Sequence, residues 1–551
     1  MGKMTNAAAK AQMNKALCLD KVVQNFDGGD SYTVNPLDTL KMISASSIFG
    51  EPSYYRDSQI SGINYAGRGK KIIGDFYAIP EEYLSETTEE VMTSAIDNAL
   101  SYDFKGTLDW AVELRNNYYI RLNPQVILAR AAMHPDREKF TKNNPDGTFR
   151  KYASKIMYRP DDVMSGMAYY MYVNGDKAKM PSVLKRSYAD KLSSLSAYQV
   201  NKYKNAEIGM INAVRICHAN SPVINELMQT GAVQVEEDQN TWENLRSAGK
   251  SWEEVFKTIN MGHMAMLRNI RGFFSEVDDI QVLNAYIEKL IAGVPSGKQF
   301  PFRYYSAYNA VKGSDLDGRK KLMIMDALET CVDKAIENMP KMHGNVAVLS
   351  DNSGSAWGAI PSEYGSVTVA EIGNLSAVLT AANSDYGEVI AFGDTMIRFP
   401  ISKKTGLLKQ ACEISKNAAD NVGGSTECGI WLFFDNAINE NEHWDSIFVY
   451  SDQQAGHGRL YGTPEEAKKY STKYSILDGY FSYINVFKLV LDYRKIVNKK
   501  VNVFSIQTAG YNNNVIPEYA YRTNLMYGWT GKECVFADTM IKLWDSVENR
   551  S

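Results

Sequence analysis

At 551 residues the chain exceeds one ordinary hydrophobic core, so two or three domains are expected, and a composition of 44% hydrophobic and 11% aromatic residues is that of a folded globular protein. No stretch approaches the roughly 18 consecutive apolar residues of a membrane-spanning helix, and the segment from Met1 to Leu17 lacks the apolar core and cleavage site of a secretory leader, so a cytoplasmic location without membrane association is expected. Cys18, Cys217, Cys331, Cys412, Cys428 and Cys534 show no paired spacing and read as reduced, mostly buried thiols, and a net charge of −4 excludes a generally basic polyanion binder.

In chain order, apolar residues at helical spacing predict helices over 86–101, 105–116, 124–133, 161–173, 181–200, 208–217, 221–229, 251–258, 262–272, 278–292 and 322–338. Asn143-Asn144-Pro145-Asp146-Gly147 and Gly313-Ser314-Asp315 read as loops. Many short antiparallel helices over residues 1–340 describe an α-solenoid of helical pairs, although no fixed-period repeat stands out. Such folds present long concave surfaces to polymers and large partners.

From 341 to 551 the pattern changes. Apolar runs near 345–350, 388–393, 446–451 and 500–507 alternate with helical stretches near 366–383, 406–420, 426–438 and 535–549. That alternation predicts a doubly wound, Rossmann-like α/β domain with parallel strands, whose ligands bind outside the carboxyl ends of the strands.

Asp351-Asn352-Ser353-Gly354-Ser355 follows the first of these runs. One carboxylate and two hydroxyls on alternate residues of a tight loop can converge on one hard divalent cation, and Mg²⁺ needs few protein oxygens because it keeps several waters. The plain alternative is a serine turn that caps the next helix. The Asp-x-Ser-x-Ser pattern resembles the metal-ion-dependent adhesion site of von Willebrand factor A domains. That resemblance implies two further oxygens from later loops, which fall on Thr426, after Gly423-Gly424-Ser425, and on Asp452, at the end of the Ile447-Phe448-Val449-Tyr450 run.

Charge is unevenly spread along the chain: residues 101–218 hold 19 basic and 11 acidic side chains. A local surplus of this kind attracts phosphate, or else lies on solvated helix faces. Within it Lys202 and Lys204 flank Tyr203, and Arg215 and His218 follow about one helix later, so that adjacent antiparallel helices can present them together. Cations there neutralise phosphates, while Tyr203 or His218 can stack on a base or bond a 2′-hydroxyl. The plain reading of His218 is a histidine satisfied between helices; that of Lys185-Arg186 is a solvent-facing pair.

Local sequences in this half are recognisable. Leu108-Asp109-Trp110-Ala111-Val112-Glu113-Leu114-Arg115, Ile120-Arg121-Leu122-Asn123-Pro124-Gln125, Met180-Pro181-Ser182-Val183-Leu184-Lys185-Arg186, Lys202-Tyr203-Lys204, Arg215-Ile216-Cys217-His218, Met266-Leu267-Arg268-Asn269-Ile270 and Pro301-Phe302-Arg303-Tyr304 resemble, in order, the TROVE module of the Ro60 autoantigen family in its bacterial or phage type. Phe26-Asp27-Gly28-Gly29-Asp30 is similar to an early family glycine turn. The resemblance runs from about residue 90 to 312 and continues into the A-like domain. It implies a ring of HEAT-like helical repeats, closed by docking the first helices near the A domain. It also implies binding of small non-coding Y RNA outside the ring and of single-stranded RNA ends in its hole, as a monomeric ribonucleoprotein component in RNA quality control. RNA contacts carry over to Lys202, Lys204 and His218, with Arg215, Lys185 and Arg186 as further candidates. The chain departs from the family by placing Ala206 near where relatives have an arginine.

Other signals are discarded. Gly249-Lys250-Ser251 imitates the end of a phosphate-binding loop, but Asn244 stands where the first glycine belongs. His443-Trp444 reads as an aromatic capping the following strand, and His457 as part of a glycine loop. No Ser-His-Asp order or zinc-ligand spacing is present, so a non-enzymatic protein is expected. The rival is an adhesion scaffold in which a partner's acidic residue, for instance a nuclease's, completes the Mg²⁺ shell; an enzyme merely using Mg²⁺ comes third.

Overall fold

The computed structural model describes residues 22–24, 30–32, 34–46, 49, 88–143, 148–175, 179–203, 208–337, 339–358, 367–424, 429–453, 486–508, 514–516, 520–528, 531 and 533–548. They pack as two compact units. One comprises residues 93–299 and 307–331; the other joins the described parts of 1–92 to 300–306 and 332–551. The change of pattern expected at 340 lies near the start of the last segment, and the described residues before 93 cluster with the α/β region.

The first unit is helical. Phe104–Asn116 starts where Asp103 caps it, its carboxylate accepting the Gly106 N–H at 2.8 Å, and buries Phe104, Leu108, Ala111 and Leu114 on one stripe. It packs against Leu122–Met133, which in turn packs against Pro160–Asn174. Between them lies a buried ion pair of Arg115 with Asp162 at 3.1 Å, and Asp162 also accepts the backbone N–H groups of Tyr158 and Arg159.

The helix expected over 181–200 is two helices, Ser182–Ser193 and Ala197–Tyr203. The Ser194 hydroxyl bonds back to the Lys191 carbonyl, while Ser196 and Gln199 bond each other's backbone N–H groups and restart the chain. Serine side chains here compete with the helical ladder. Arg137–Asn143, Thr148–Ile156, Trp242–Ser247 and Pro301–Lys312 are helices that the sequence reading left out. Ser251 is no phosphate loop: it caps Trp252–Thr258, and Glu254 returns the bond to its N–H.

The second unit is built on a sheet. After a short hairpin of β1 (Val22–Gln24) and β2 (Asp30–Tyr32) come β3 (Met342–Asp351), β4 (Ser384–Phe392), β5 (Met396–Pro400), β6 (Ser446–Ser451), β7 (Asn502–Gln507) and β8 (Thr523–Tyr527). The six-stranded order is β5-β4-β3-β6-β7-β8, parallel except for β5, which returns antiparallel to β4. Side chains alternate across it. Ala347 and Leu349 of β3 join the apolar core made with helices Gly429–Asn439 and Val486–Ile496, while Ser350 bonds to Asn374 of helix Val369–Ala382 on the other face. Both faces are therefore covered, as the expected doubly wound architecture requires. Helix Pro36–Ser46 packs on β8.

Candidate metal centre and nucleic-acid interface

Asp351 is the last residue of β3, and the loop beyond it is pinned from three sides. The Asn352 N–H donates to the Phe392 carbonyl at the end of β4 (2.8 Å), the Gly354 N–H to the Gly424 carbonyl (2.7 Å), and the Ser353 N–H back to Asp351 Oδ1 (2.9 Å). Gly423 turns the chain there with φ of +81°, a conformation that glycine adopts without strain.

From the neighbouring strand, Ser451 Oγ donates to Asp351 Oδ2 at 2.7 Å. Ser355 Oγ donates to Asp452 Oδ2 at 2.8 Å and lies 3.0 Å from Ser353 Oγ. Asp351, Ser353 and Asp452 are buried and Ser355 half-buried. Four of the five expected residues thus form one hydrogen-bonded set at the carboxyl ends of β3 and β6. Thr426 lies outside the described residues; Gly424, two positions earlier, is held on the loop by Gly354.

Burial pushes the Asp351 carboxyl upward, and the like charge of Asp452 adds to it, against the hydrogen bonds from Ser353 and Ser451. Two buried carboxylates linked through hydroxyls gain from a cation placed among them, and their oxygens suit a hard one. Among the described residues no three His, Cys, Asp or Glu side chains gather to hold a metal, so a cation at this cluster depends on hydroxyls and water.

Behind the loop stands a polar network that the sequence reading missed: Ser350, Asn352, Asn374 and Ser415 are linked by side-chain hydrogen bonds of 2.8–3.0 Å. Its signal was available, because helix Val369–Ala382 is buried nearly throughout yet contains an asparagine. Trp444, read as a strand cap, is buried against Phe433 and donates its backbone N–H to the Tyr493 hydroxyl. His457 lies outside the described residues, as do Cys18, Cys428 and the segments 26–29 and 144–147. Cys217, Cys331 and Cys534 are buried free thiols and Cys412 is half-buried.

In the helical unit much of the positive surplus is consumed internally. Arg115, Arg121, Arg130 and Arg150 are ion-paired with Asp162, Asp161, Asp97 and Asp190. Lys185, Arg186, Lys202 and Arg215 have no ion-pair partner among the described residues, and all but the half-buried Lys185 are exposed. Helix Ser182–Ser193 packs on Met210–Cys217. Burial pushes the Cys217 thiol up to about 12, and the charge of Lys185 acts in the opposite sense. His218 is exposed and ends that helix in the left-handed conformation, φ 59°.

Lys202 reaches the Tyr198 hydroxyl at 3.3 Å and lies 5.7 Å from the Tyr203 ring centroid; the Arg159 guanidinium stands 5.1 Å from the same ring. Arg159 was not anticipated, since it precedes a helix as an ordinary Tyr-Arg-Pro turn. Lys204 and Ala206 lie outside the described residues.

These two units define a class: a helical-repeat module combined with a doubly wound α/β domain of the A type. Among solved structures, the chain is similar to the crystal structure of the Ro (Rsr) protein of Deinococcus radiodurans, with a TM-score of 0.50 and 14% sequence identity over 81% of this chain and 93% of that one. The likeness is one of fold, and it matches the helical module and A-like domain that the sequence resemblance implied. No protein-family model and no curated protein matches the chain.

Proposed function

We propose that this chain is an RNA-binding protein of the Ro type. It takes small non-coding, Y-like RNA and structured or misfolded RNA with single-stranded ends, and acts as a ribonucleoprotein component and not as an enzyme. The observation that carries this reading is the set Lys185, Arg186, Lys202 and Arg215, cations with no ion-pair partner among the described residues, together with His218, on a helical unit whose fold follows a Ro protein. Lys204, outside the described residues, joins them by its place in the sequence alone. Cations without protein counter-charges are free to displace the counterions of a phosphate backbone, and Tyr203 between Arg159 and Lys202 offers an aromatic edge beside them.

In the α/β unit, Asp351, Ser353, Ser355, Thr426 and Asp452 hold one divalent cation, Mg²⁺ by its preference for hard oxygens, some directly and some through water. When bound, the cation neutralises the carboxylates and offers an open position to an acidic group. That position favours a second reading, a metal-dependent adhesion scaffold for which RNA is incidental. Sequencing the RNA that copurifies with the full chain decides between them. A discrete small structured RNA, lost on replacing Lys202 and Arg215 together, is the expected result. Bulk cellular RNA in both preparations moves the scaffold reading to first place.

A further inference from the structure

Asn374 is fully buried in helix Val369–Ala382, and its carboxamide is saturated. Its Oδ1 accepts from Ser350 Oγ (2.8 Å) and from Asn352 Nδ2 (2.9 Å), while its Nδ2 donates to Asn352 Oδ1 (2.8 Å) and to Ser415 Oγ (3.0 Å). Two donors and two acceptor positions are all used. Ser350 and Asn352 are the residues on either side of Asp351. Asn352 Nδ2 also bonds the Ser350 carbonyl at 3.0 Å, so the turn from strand into loop is clamped through one amide.

The helix approaches closely enough for this because residue 373 is glycine: a Cβ there would stand 3.2 Å from Ser350 Oγ. Alternation along β3 sends Ser350 and Asn352 toward the helix and Asp351 away from it, toward Ser451. Two leucines would fill the space of the two asparagines with no buried amide to satisfy. A reciprocal amide pair is favoured there only where orientation matters more than net stability.

We propose that Asn374 is a positioning residue for the cation site: it holds Asn352, and through it the Asp351 carboxylate and Ser353 hydroxyl, in the register that meets Ser355 and Asp452. It touches no ligand itself. The proposal rests on reading Asp351 to Asp452 as a divalent site.

The test is a titration of the full-length chain with Mn²⁺, following the free-ion electron paramagnetic resonance signal, with thermal melts in EDTA alongside. Wild type, Asn374→Leu and the double variant Asn352→Leu/Asn374→Leu are compared. In the single variant the affinity for Mn²⁺ is expected to fall by about 10- to 100-fold, the usual effect of removing a group that orients a ligand. In the double variant, which leaves neither amide orphaned, the melting temperature in EDTA is expected to recover toward wild type while Mn²⁺ affinity stays low. Affinity restored together with stability, or a folded single variant that binds Mn²⁺ as wild type does, would make Asn374 merely structural and overturn the proposal. A wild-type chain that binds no Mn²⁺ overturns the site reading itself, a result distinct from either.

Discussion

Ser355 donates its hydroxyl to Asp452 across 97 residues of sequence, at 2.8 Å. β3 and β6 are adjacent and parallel, so their carboxyl-end loops emerge side by side, and this bond ties the two loops together. With Ser353 3.0 Å from Ser355 and its N–H on Asp351, four residues form one hydrogen-bonded chain at the loop ends.

Asp351→Ala removes one of the two buried carboxylates of that set. Wild type should melt higher in Mg²⁺ than in EDTA, since a ligand at about a hundred times its dissociation constant stabilises by about 2.7 kcal/mol. The variant should show no such difference. In EDTA its melting should fall little or even rise, because it no longer buries a carboxylate beside that of Asp452. Scanning calorimetry of both chains with and without metal checks this; an equal Mg²⁺ increment in the variant would remove Asp351 from the site.

Where several side chains share a local pattern, the sequence was informative. The buried strands β3, β4, β6 and β7 stand out as apolar runs, and Asp351 and Asp452 are legible because each ends one. β5 was illegible for a physical reason: an edge strand with no fully buried residue, Met396–Pro400 has no continuous apolar run and ends in an exposed proline. Thr148–Ile156 places Phe149, Tyr152, Ala153 and Ile156 at helical spacing, a short stripe of nine residues behind the Asn143-to-Gly147 turn cluster. Asn374 and Arg159 act through partners far away in sequence, and although an asparagine in so apolar a helix marks a buried amide, a single chain read alone does not say which residues it meets.

Asp162 joins the last example. It is buried, paired with Arg115 and holding two backbone N–H groups ahead of its own helix. Asp162→Ala leaves a buried guanidinium without its counter-charge and uncaps the helix, so a loss of about 3–5 kcal/mol is expected. Urea denaturation followed by circular dichroism measures it. A loss below about 1 kcal/mol, the range of surface pairs, would mean the pair is solvated.

Acid sensitivity should appear at the other end of the chain. The Arg522 guanidinium holds the Glu548 carboxyl down at about 2, with Lys500 and Tyr521 assisting. A carboxylate whose folded value is depressed contributes stability above its unfolded value, near 4.3, and that contribution is lost as pH falls through about 2. The carboxylate is partly exposed, so about 1 kcal/mol is the reasonable scale. Glu548→Gln should lower stability at pH 7 and flatten the decline between about pH 4 and 2. Parallel acid-limb curves for the two chains would show the contact to be thermodynamically silent.

Salt dependence is the sharpest measure of the RNA surface. If about three phosphates are neutralised by Lys202, Lys204 and Arg215, log affinity should fall with log salt by at least about 2, each contact contributing roughly 0.7 to 0.9. Lys202→Ala/Lys204→Ala should flatten the slope by about one to two units. His218 separates cleanly from these, because it also ends its helix at φ 59°. His218→Gly keeps that backbone at no steric cost, so the fold should be as stable as wild type. RNA affinity should nonetheless drop, because the ring that can stack on a base or bond a 2′-hydroxyl is gone. Filter binding of a structured RNA with a single-stranded tail, at several salt concentrations, reads both quantities. An unaltered slope in the double lysine variant would move RNA away from this face of the helices, and unaltered affinity in His218→Gly would leave His218 as a helix terminator alone.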